Sequence, residues 1–425
     1  MEAGEDGVCR SRRTCEVARE TGLGELARSF NGTSMKINTP LLVITELYLP
    51  TKGGTAVWFD EVYRRLGGKE IHVVTANVPG AAEHDAVHPN TVHRLSLQRH
   101  WWLKPESLGM YANFFFKGLS LALRHRFQAV HAGRVLPEGL VAWLVARIAR
   151  IPVVIYAHGE EITTWRQPAK FRVMRFTYRH ADRVVANSEF TRDELIKLGV
   201  VPDKITLIYP GVDIERFQPG LPCEDLKASI GLLPNQKLIL SVGRLSRRKG
   251  FDMVIRSLAE LLQRGLDVRY ALIGIGEEWK YLADLARELN VSDRVHMLGH
   301  VPPEDLPRWY NACDVFAMPN REINGDTEGF GMVFVEAAAC GKPAIGGRAG
   351  GTGAAIQEGV TGWRVDGLSR EELTTALMRI LENQDLAESV GASGRTRAMG
   401  EFSWETVARK TVALAHSEGS FGRGD

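Results

Sequence analysis

Leu238-Ile239-Leu240-Ser241-Val242-Gly243-Arg244-Leu245-Ser246-Arg247-Arg248-Lys249-Gly250 is the stretch on which the reading of this chain turns. Its first five residues, apolar but for Ser241, form a compact run of the kind found in a strand buried on both faces. Gly243 ends the run, cations follow, and a helical stretch begins at Phe251. Strand, glycine-bearing loop and helix in that order form the repeating unit of a parallel sheet covered by helices. Gly243 with Arg244 and Lys249 at a strand's carboxyl end suits a diphosphate, because Arg offers a planar fork of donors and Lys a compact charge.

The same rhythm extends in both directions. Upstream, Leu41-Leu42-Val43-Ile44, Ile71-His72-Val73-Val74, Ala129-Val130-His131, Val153-Val154-Ile155, Val184-Val185-Ala186 and Ile205-Thr206-Leu207-Ile208 read as strands, and residues 56–66 and 140–149 as helices. Residues 209–236 interrupt it with Pro210, Gly211, Pro219, Gly220, Pro222 and Pro234, the composition of a linker. Downstream lie Ala271-Leu272-Ile273, Val295-His296-Met297, Val315-Phe316-Ala317 and Ala344-Ile345, and the chain closes in a helical stretch over 404–416. The expected architecture is α/β, with two doubly wound Rossmann-like domains facing each other across a cleft. The expected divisions are a disordered extension over 1–35, a first domain over 36–218, a linker over 219–235, a second domain over 236–403 and a terminal helix over 404–418. Residues 1–35 lack both the apolar core of a signal peptide and the acid-poor composition of a transit peptide, and Met35 is the expected functional start.

Composition narrows the function classes. The 425 residues carry 53 Lys plus Arg against 51 Asp plus Glu, and 44% are apolar, which describes a folded globular protein. No apolar run reaches the ~18 residues of a membrane span. The 5 Cys are scattered without a CxxC, which supports neither a disulfide framework nor a zinc finger and points to a reducing, cytoplasmic setting. Charge divides unevenly: 36–218 hold 24 cations against 17 acids, and 219–425 hold 24 against 28, so the first domain is the one to meet an anionic partner. Gly274-Ile275-Gly276 imitates a dinucleotide fingerprint, but Trp279 stands where the third glycine belongs, which counts against a nicotinamide oxidoreductase.

Three further features carry chemistry. In Asp326-Thr327-Glu328-Gly329-Phe330-Gly331-Met332-Val333-Phe334-Val335-Glu336, a glycine-bearing turn opens a helix whose free N–H groups form an anion site. Glu328 stands before that helix and Glu336 within it, placed to bind hydroxyls at opposite ends of one ligand. Gly53-Gly54 opens the helix after the first strand and permits close backbone approach to a ligand. His158 follows the strand that ends near Tyr156, again at a carboxyl end.

On these residues the chain resembles the retaining glycosyltransferases of family 4, of GT-B type, over about residues 36–415; the two glutamates Glu328 and Glu336 and the pair Gly243-Arg244 with Lys249-Gly250 carry the likeness most specifically. The resemblance implies that Arg244 and Lys249 neutralise the leaving diphosphate, that Glu336 holds the ribose, and that Glu328 holds hydroxyls of the transferred sugar. It further implies backbone contacts from Gly243, Gly329, Phe330 and Gly331, approach to the phosphates by Gly53 and Gly54, and His158 near the sugar's 6-hydroxyl. The terminal helix is expected to cross back to the first domain. No DxD motif is evident, so neither a metal nor another cofactor is expected.

The loop Gly133-Arg134-Val135-Leu136-Pro137-Glu138-Gly139 and the insertion Arg321-Glu322-Ile323-Asn324-Gly325-Asp326 are similar in character to those of phosphatidylinositol mannosyltransferases. They point to GDP-mannose as donor, with a UDP-sugar (glucose, galactose or N-acetylglucosamine) as the alternative and a non-catalytic carbohydrate-binding protein behind it. Arg134 and Glu138 are the candidate acceptor residues. The acceptor is read as a lipid-linked or glycan hydroxyl, reached from the inner face of an anionic membrane through Trp101-Trp102-Leu103-Lys104 and Phe114-Phe115-Phe116-Lys117. No nucleic-acid partner is expected.

Overall fold

The computed structural model describes residues 39–97 and 108–416, all within one compact unit, Asn38–Asp425. The extension over 1–35, the start at Met35 and Trp101 to Lys104 therefore lie outside the described residues.

Two parallel sheets organise the chain. The first contains β1 (Leu41–Ile44), β2 (Ile71–Ala76), β3 (Thr91–Leu95), β4 (Ala129–Ala132), β5 (Val153–Ala157), β6 (Arg183–Ala186) and β7 (Ile205–Leu207), in the order β3-β2-β1-β4-β5-β6-β7. The second contains β8 (Lys237–Val242), β9 (Val268–Ile273), β10 (Val295–Gly299), β11 (Val315–Met318), β12 (Ala344–Gly347) and β13 (Gly362–Val365), in the order β10-β9-β8-β11-β12-β13. Leu41 lies between Ile71 and Ala129, and Ile239 pairs with Tyr270 on one side and Val315 on the other. Strand order thus reverses between β1 and β4 and again between β8 and β11. A crevice opens beyond the strand ends at such a reversal because successive connections leave in opposite directions. Each sheet has its own core, one around Ile44, Phe114 and Ile155, the other around Leu240, Leu272 and Phe316. This is a GT-B arrangement of two Rossmann-like domains.

The residues over 209–236 are more than a linker. They contain a short helix, Glu224–Ser229, and Val212, Phe217, Cys223 and Ile230 are buried in the second core. Their apolar side chains are spaced by prolines and glycines, so they follow neither period and still find a common pocket. The edge strands β3 and β13 also add to the expected set. Thr91–Leu95 is half-buried throughout and Gly362–Val365 mixes Gly and Arg with Trp and Val, so neither presents an apolar run.

The last helix, Trp404–His416, returns to the first domain and packs on the first helix, Gly54–Leu66, where Arg65 Nε donates to Glu405 at 2.8 Å. The two crossings of the chain are clamped together. Val212 N–H donates to the Phe402 carbonyl at 2.7 Å, and the Trp404 ring covers Gly211 so closely that any side chain there would collide with it.

Beneath these helices His131 on β4 is fully buried, its Nδ1 2.7 Å from the Tyr63 hydroxyl, and burial pushes its pKa down to about 3. The folded chain keeps this ring neutral while the unfolded chain protonates it below its ordinary value of 6.5. A depressed folded pKa makes the contribution complete above ~6.5 and progressively lost as pH falls toward the folded value. Stability should therefore fall on acidification through pH ~6 to ~4, with His131 supplying on the order of 1 kcal/mol per pH unit. Urea titrations of wild type and His131→Gln across this range should show the shallower slope in the variant.

Candidate active site

The two topological reversals place the sequence motifs opposite one another. From β1 and β4 come Gly53-Gly54 and the loop Gly133 to Glu138; from β8 and β11 come the basic loop and the loop 319–331.

After β8 the chain turns through Gly243 and runs into a short 3-10 turn, Arg247–Lys249, before the helix Phe251–Gln263. Gly250, at φ +74°, joins turn to helix with its Cα against the Pro319 carbonyl, a place only glycine can occupy. The turn's phase aims its side chains apart. Arg247 lies over the Tyr281 ring at 5.9 Å, whereas Arg248 and Lys249 point inward to Glu328. Arg248 Nη1 donates to Glu328 Oε2 at 2.9 Å, Lys249 Nζ donates to the same oxygen, and Arg248 Nε stands 3.1 Å from Asp326 Oδ1. Burial pushes the Glu328 carboxyl up, but the charges of Lys249 and Arg248 outweigh it and hold it below the usual range. Arg244 is not part of this cluster: its side chain is 75% exposed and pairs with Glu277 at 3.2 Å. It lies where the chain turns after the strand, Ser246 N–H donating to the Arg244 carbonyl at 2.8 Å, and Leu245, fully buried, is the residue of this turn that enters the core.

The loop after β11 is pinned to the basic loop, since Arg321 N–H donates to the Arg248 carbonyl at 2.8 Å and Arg321 Nη2 donates to Asp252 Oδ1 at 2.8 Å. Gly331, at φ +91°, starts the helix Met332–Ala339. Phe330 is buried against Tyr209 and Phe402, so its ring packs in the interior and is no ligand-facing surface. Glu336 accepts from the Tyr310 hydroxyl at 2.8 Å, and burial raises its pKa in spite of that bond.

The first domain meets this wall at glycines. A methyl on Gly54 would stand 2.9 Å from Met332 Sδ, and one on Gly329 would strike the His158 carbonyl. That carbonyl also accepts from Asn187 Nδ2 at 3.0 Å, and Gly351 lies over the Ser188 hydroxyl. Gly53, by contrast, has open space around it and adopts φ +135°. His158 Nε2 is 2.8 Å from the Gly133 carbonyl, which can only accept, so Nε2 carries the proton. Burial lowers the His158 pKa against the opposing charge of Glu161, which leaves Nδ1 of the neutral ring as an acceptor. Asn187, Ser188, Arg248 and Asp326 escaped the sequence reading, although the first two follow β6 directly, where ligand groups of parallel sheets are found.

The acceptor candidates divide. Arg134 is half-buried at the start of its loop, but Glu138 is fully buried, with Oε1 accepting from Glu46 N–H at 3.0 Å. Glu138 therefore braces the loop after β1 and is withdrawn from the cleft surface. Burial raises its pKa despite the hydrogen bonds it accepts from the backbone.

The arrangement combines two inward cations, a helix N-terminus, two acids and a neutral imidazole acceptor. It can hold an anionic diphosphate and hydroxyl groups together while charge builds on the phosphate.

Residues 52–216 match the family model described as Glycosyltransferase Family 4, and residues 224–397 the model described as Glycosyl transferases group 1. A GDP-mannose-dependent alpha-(1-6)-phosphatidylinositol monomannoside mannosyltransferase from Mycolicibacterium smegmatis is 29% identical over 379 residues, 88% of this chain and 97% of the relative. A D-inositol 3-phosphate glycosyltransferase from Catenulispora acidiphila is 30% identical, over 70% of this chain and 74% of its own. Among solved structures, Anabaena Alr3699/HepE in complex with UDP is similar at TM-score 0.75 and 23% identity, covering 89% of this chain and 100% of that one. At that identity the likeness speaks for the fold.

Gly329→Ala should force the second domain's loop off the His158 carbonyl and lower stability by about 1–3 kcal/mol in urea. Gly400→Ala, whose methyl would meet nothing within 4 Å, serves as the helix-glycine control and should be neutral or slightly stabilising.

Proposed function

This chain belongs to glycosyltransferase family 4, and on that premise we propose that it moves mannose, with retention, from GDP-mannose to a hydroxyl of a lipid-linked or glycan acceptor. The observation that carries this reading is the buried Lys249–Glu328–Arg248 cluster facing the N-terminus of the helix Met332–Ala339. A departing nucleoside diphosphate gains negative charge as the glycosidic bond breaks, and the sugar becomes oxocarbenium-like. Lys249 and Arg248 turn from Glu328 to the diphosphate, and the helix N-terminus adds its partial charge. Arg244, exposed at the rim beside Glu277, swings in over the same phosphates. Together these groups supply the charge that a divalent ion supplies in other transferases, so the reaction is expected to run without one.

Glu328, released from its cations, accepts from hydroxyls of the transferred sugar. Glu336 keeps one oxygen on Tyr310 and offers the other to the ribose. Nδ1 of His158 accepts from the sugar's outer hydroxyl. Gly53, Gly54, Gly243, Gly329 and Gly331 let the backbone approach the donor. With no enzyme nucleophile assigned, the leaving diphosphate receives the acceptor's proton as attack proceeds on the face it vacates.

The donor reading rests on the mannosyltransferase relative and on the loops 133–139 and 321–326. A UDP-sugar is the second reading, favoured by the similar fold solved with UDP. The acceptor reading gains support from the helices Leu108–Arg124, Leu140–Ala149 and Pro168–His180, which carry no acid. Phe116 is 68% and Leu123 69% exposed there, beside Lys117 and Arg124, a surface that fits an anionic bilayer.

Thermal-shift titration against GDP, UDP, ADP and their sugars tests the donor. Binding at 100 times the dissociation constant stabilises by about 2.7 kcal/mol. GDP-mannose should give the largest shift, undiminished by EDTA at saturating donor; a UDP-sugar giving the largest shift overturns mannose. Lys249→Ala and Glu328→Ala should each reduce turnover by about 10²- to 10³-fold. Because each leaves a buried partner unpaired, circular dichroism must accompany the assay. Near-normal turnover in either folded variant would remove the cluster from the mechanism.

A further inference from the structure

Asp60 on the first helix, with His84 and His88 on the helix Ala81–Val87 and its C-cap, form a second polar cluster that the transfer site does not use. Their ligand atoms, one from each residue, all lie within 4.8 Å of one another, and Asp60 and the His88 ring are fully buried. The spacing His84-Asp85-Ala86-Val87-His88 brings both imidazoles to one face, where the rings stack at 5.1 Å.

The cluster is short of positive charge on one side. His84 Nε2 lies 2.7 Å from Asp60 Oδ1, and its Nδ1 lies 3.0 Å from Asp85 Oδ1. A neutral imidazole has one N–H, so a proton or a cation must stand between His84 and one of these carboxylates. Asp85 is already served by Arg94, whose Nε and Nη2 donate to it at 2.9 and 2.8 Å. Asp60 is not so served: its Oδ2 is buried with no hydrogen-bond partner among the described residues, and the nearest guanidinium, Arg64, stands 3.6 Å off.

We propose that Asp60 Oδ1, His84 Nε2 and His88 Nε2 form a structural site for a zinc-class divalent cation that fastens the helix Ala81–Val87 to the first helix. Tetrahedral Zn²⁺ holds N and O ligands at about 2.0–2.2 Å, which sets ligand atoms about 3.3 Å apart. His88 Nε2 and Asp60 Oδ1 are already 3.3 Å apart, and the His84 contact opens by a fraction of an ångström as the ion replaces its proton. The Tyr48 hydroxyl, 3.2 Å from His88 Nε2, borders the fourth position. Asp85 fixes the His84 tautomer that aims Nε2 inward, as outer-shell carboxylates do for zinc-bound histidines. Binding gives up the Asn90 N–H donation to His88 Nδ1 and the Tyr48 hydroxyl's hydrogen bond with His88 Nε2, each at 3.2 Å, in exchange for three coordinate bonds. The first helix, to which Ala81–Val87 is fastened, is the one that opens at Gly53-Gly54, so the ion would set the position of the donor-facing glycines without touching the donor.

Metal-stripped full-length protein should take up one zinc per chain by elemental analysis and melt at a higher temperature when it does. Cobalt(II) should give the intense visible bands of four-coordinate nitrogen and oxygen ligation. His88→Gln and Asp60→Asn should each weaken uptake at least tenfold. Wild type that takes up no zinc and shows no such cobalt spectrum would make the cluster a hydrogen-bond network only, and a folded variant that retains the ion would place it elsewhere. Should a variant fail to fold, the wild-type cobalt spectrum decides.

Discussion

One oxygen, Oε2 of Glu328, receives both Arg248 and Lys249, and the arrangement of the cleft follows from that shared contact. Two cations driven into a half-buried pocket without a partner would each carry a desolvation cost of several kcal/mol. Glu328 removes that cost in the ligand-free chain and keeps both side chains ordered at the strand end. On the proposed function the same geometry makes them exchangeable, because an anion of higher charge at the adjacent helix terminus would compete directly with one carboxylate. Glu160 is drawn into the field as well. Burial and the nearby Asp326 raise its pKa, while Arg248 opposes that rise. The site is therefore a balance of acids and cations that a diphosphate would reset.

Glycine decides how closely the two walls approach. The Cα atoms of Gly329 and Gly351 lie against the His158 carbonyl and the Ser188 hydroxyl, and Gly54 lies against Met332. Where a Cβ would hold the domains an ångström or more apart, its absence lets backbone and side-chain polar groups of one domain reach those of the other. The crossing helix applies the complementary constraint from behind, through Trp404 over Gly211 and the Val212–Phe402 hydrogen bond. Cleft and crossing are thus two ends of the same contact between domains.

Much of this was legible in the residues themselves. Central strands such as Leu238–Val242 and Val153–Ile155 are buried on both faces, so they are nearly all apolar and plain to read, the one exception, Ser241, being hydrogen-bonded to the Ala317 carbonyl and the Tyr270 hydroxyl. The helices over 140–149 and 404–416 are equally plain from their periodicity and punctuation. Edge strands such as Thr91–Leu95 escape because water on one side permits polar residues, and the helix Glu224–Ser229 escapes because it is short and lies among prolines. At the site, residue type located the basic loop but could not tell its cations apart. Arg244, Arg247, Arg248 and Lys249 are all cations, and only the phase of the 3-10 turn sends Arg248 and Lys249 inward and Arg247 to Tyr281, while Arg244, ahead of the turn, pairs with Glu277. Glu138 misleads for the opposite reason, since its loop suggests exposure while a backbone N–H draws it inside.

The central claim is that Glu328 and a nucleoside diphosphate compete for the same two cations. Calorimetric titration of GDP into wild type and folded Glu328→Gln tests it most directly. The expected result is tighter diphosphate binding in the variant, by on the order of tenfold or ~1.4 kcal/mol, because Arg248 and Lys249 no longer have to leave a carboxylate. Equal or weaker binding in Glu328→Gln would contradict it and place the diphosphate away from this cluster.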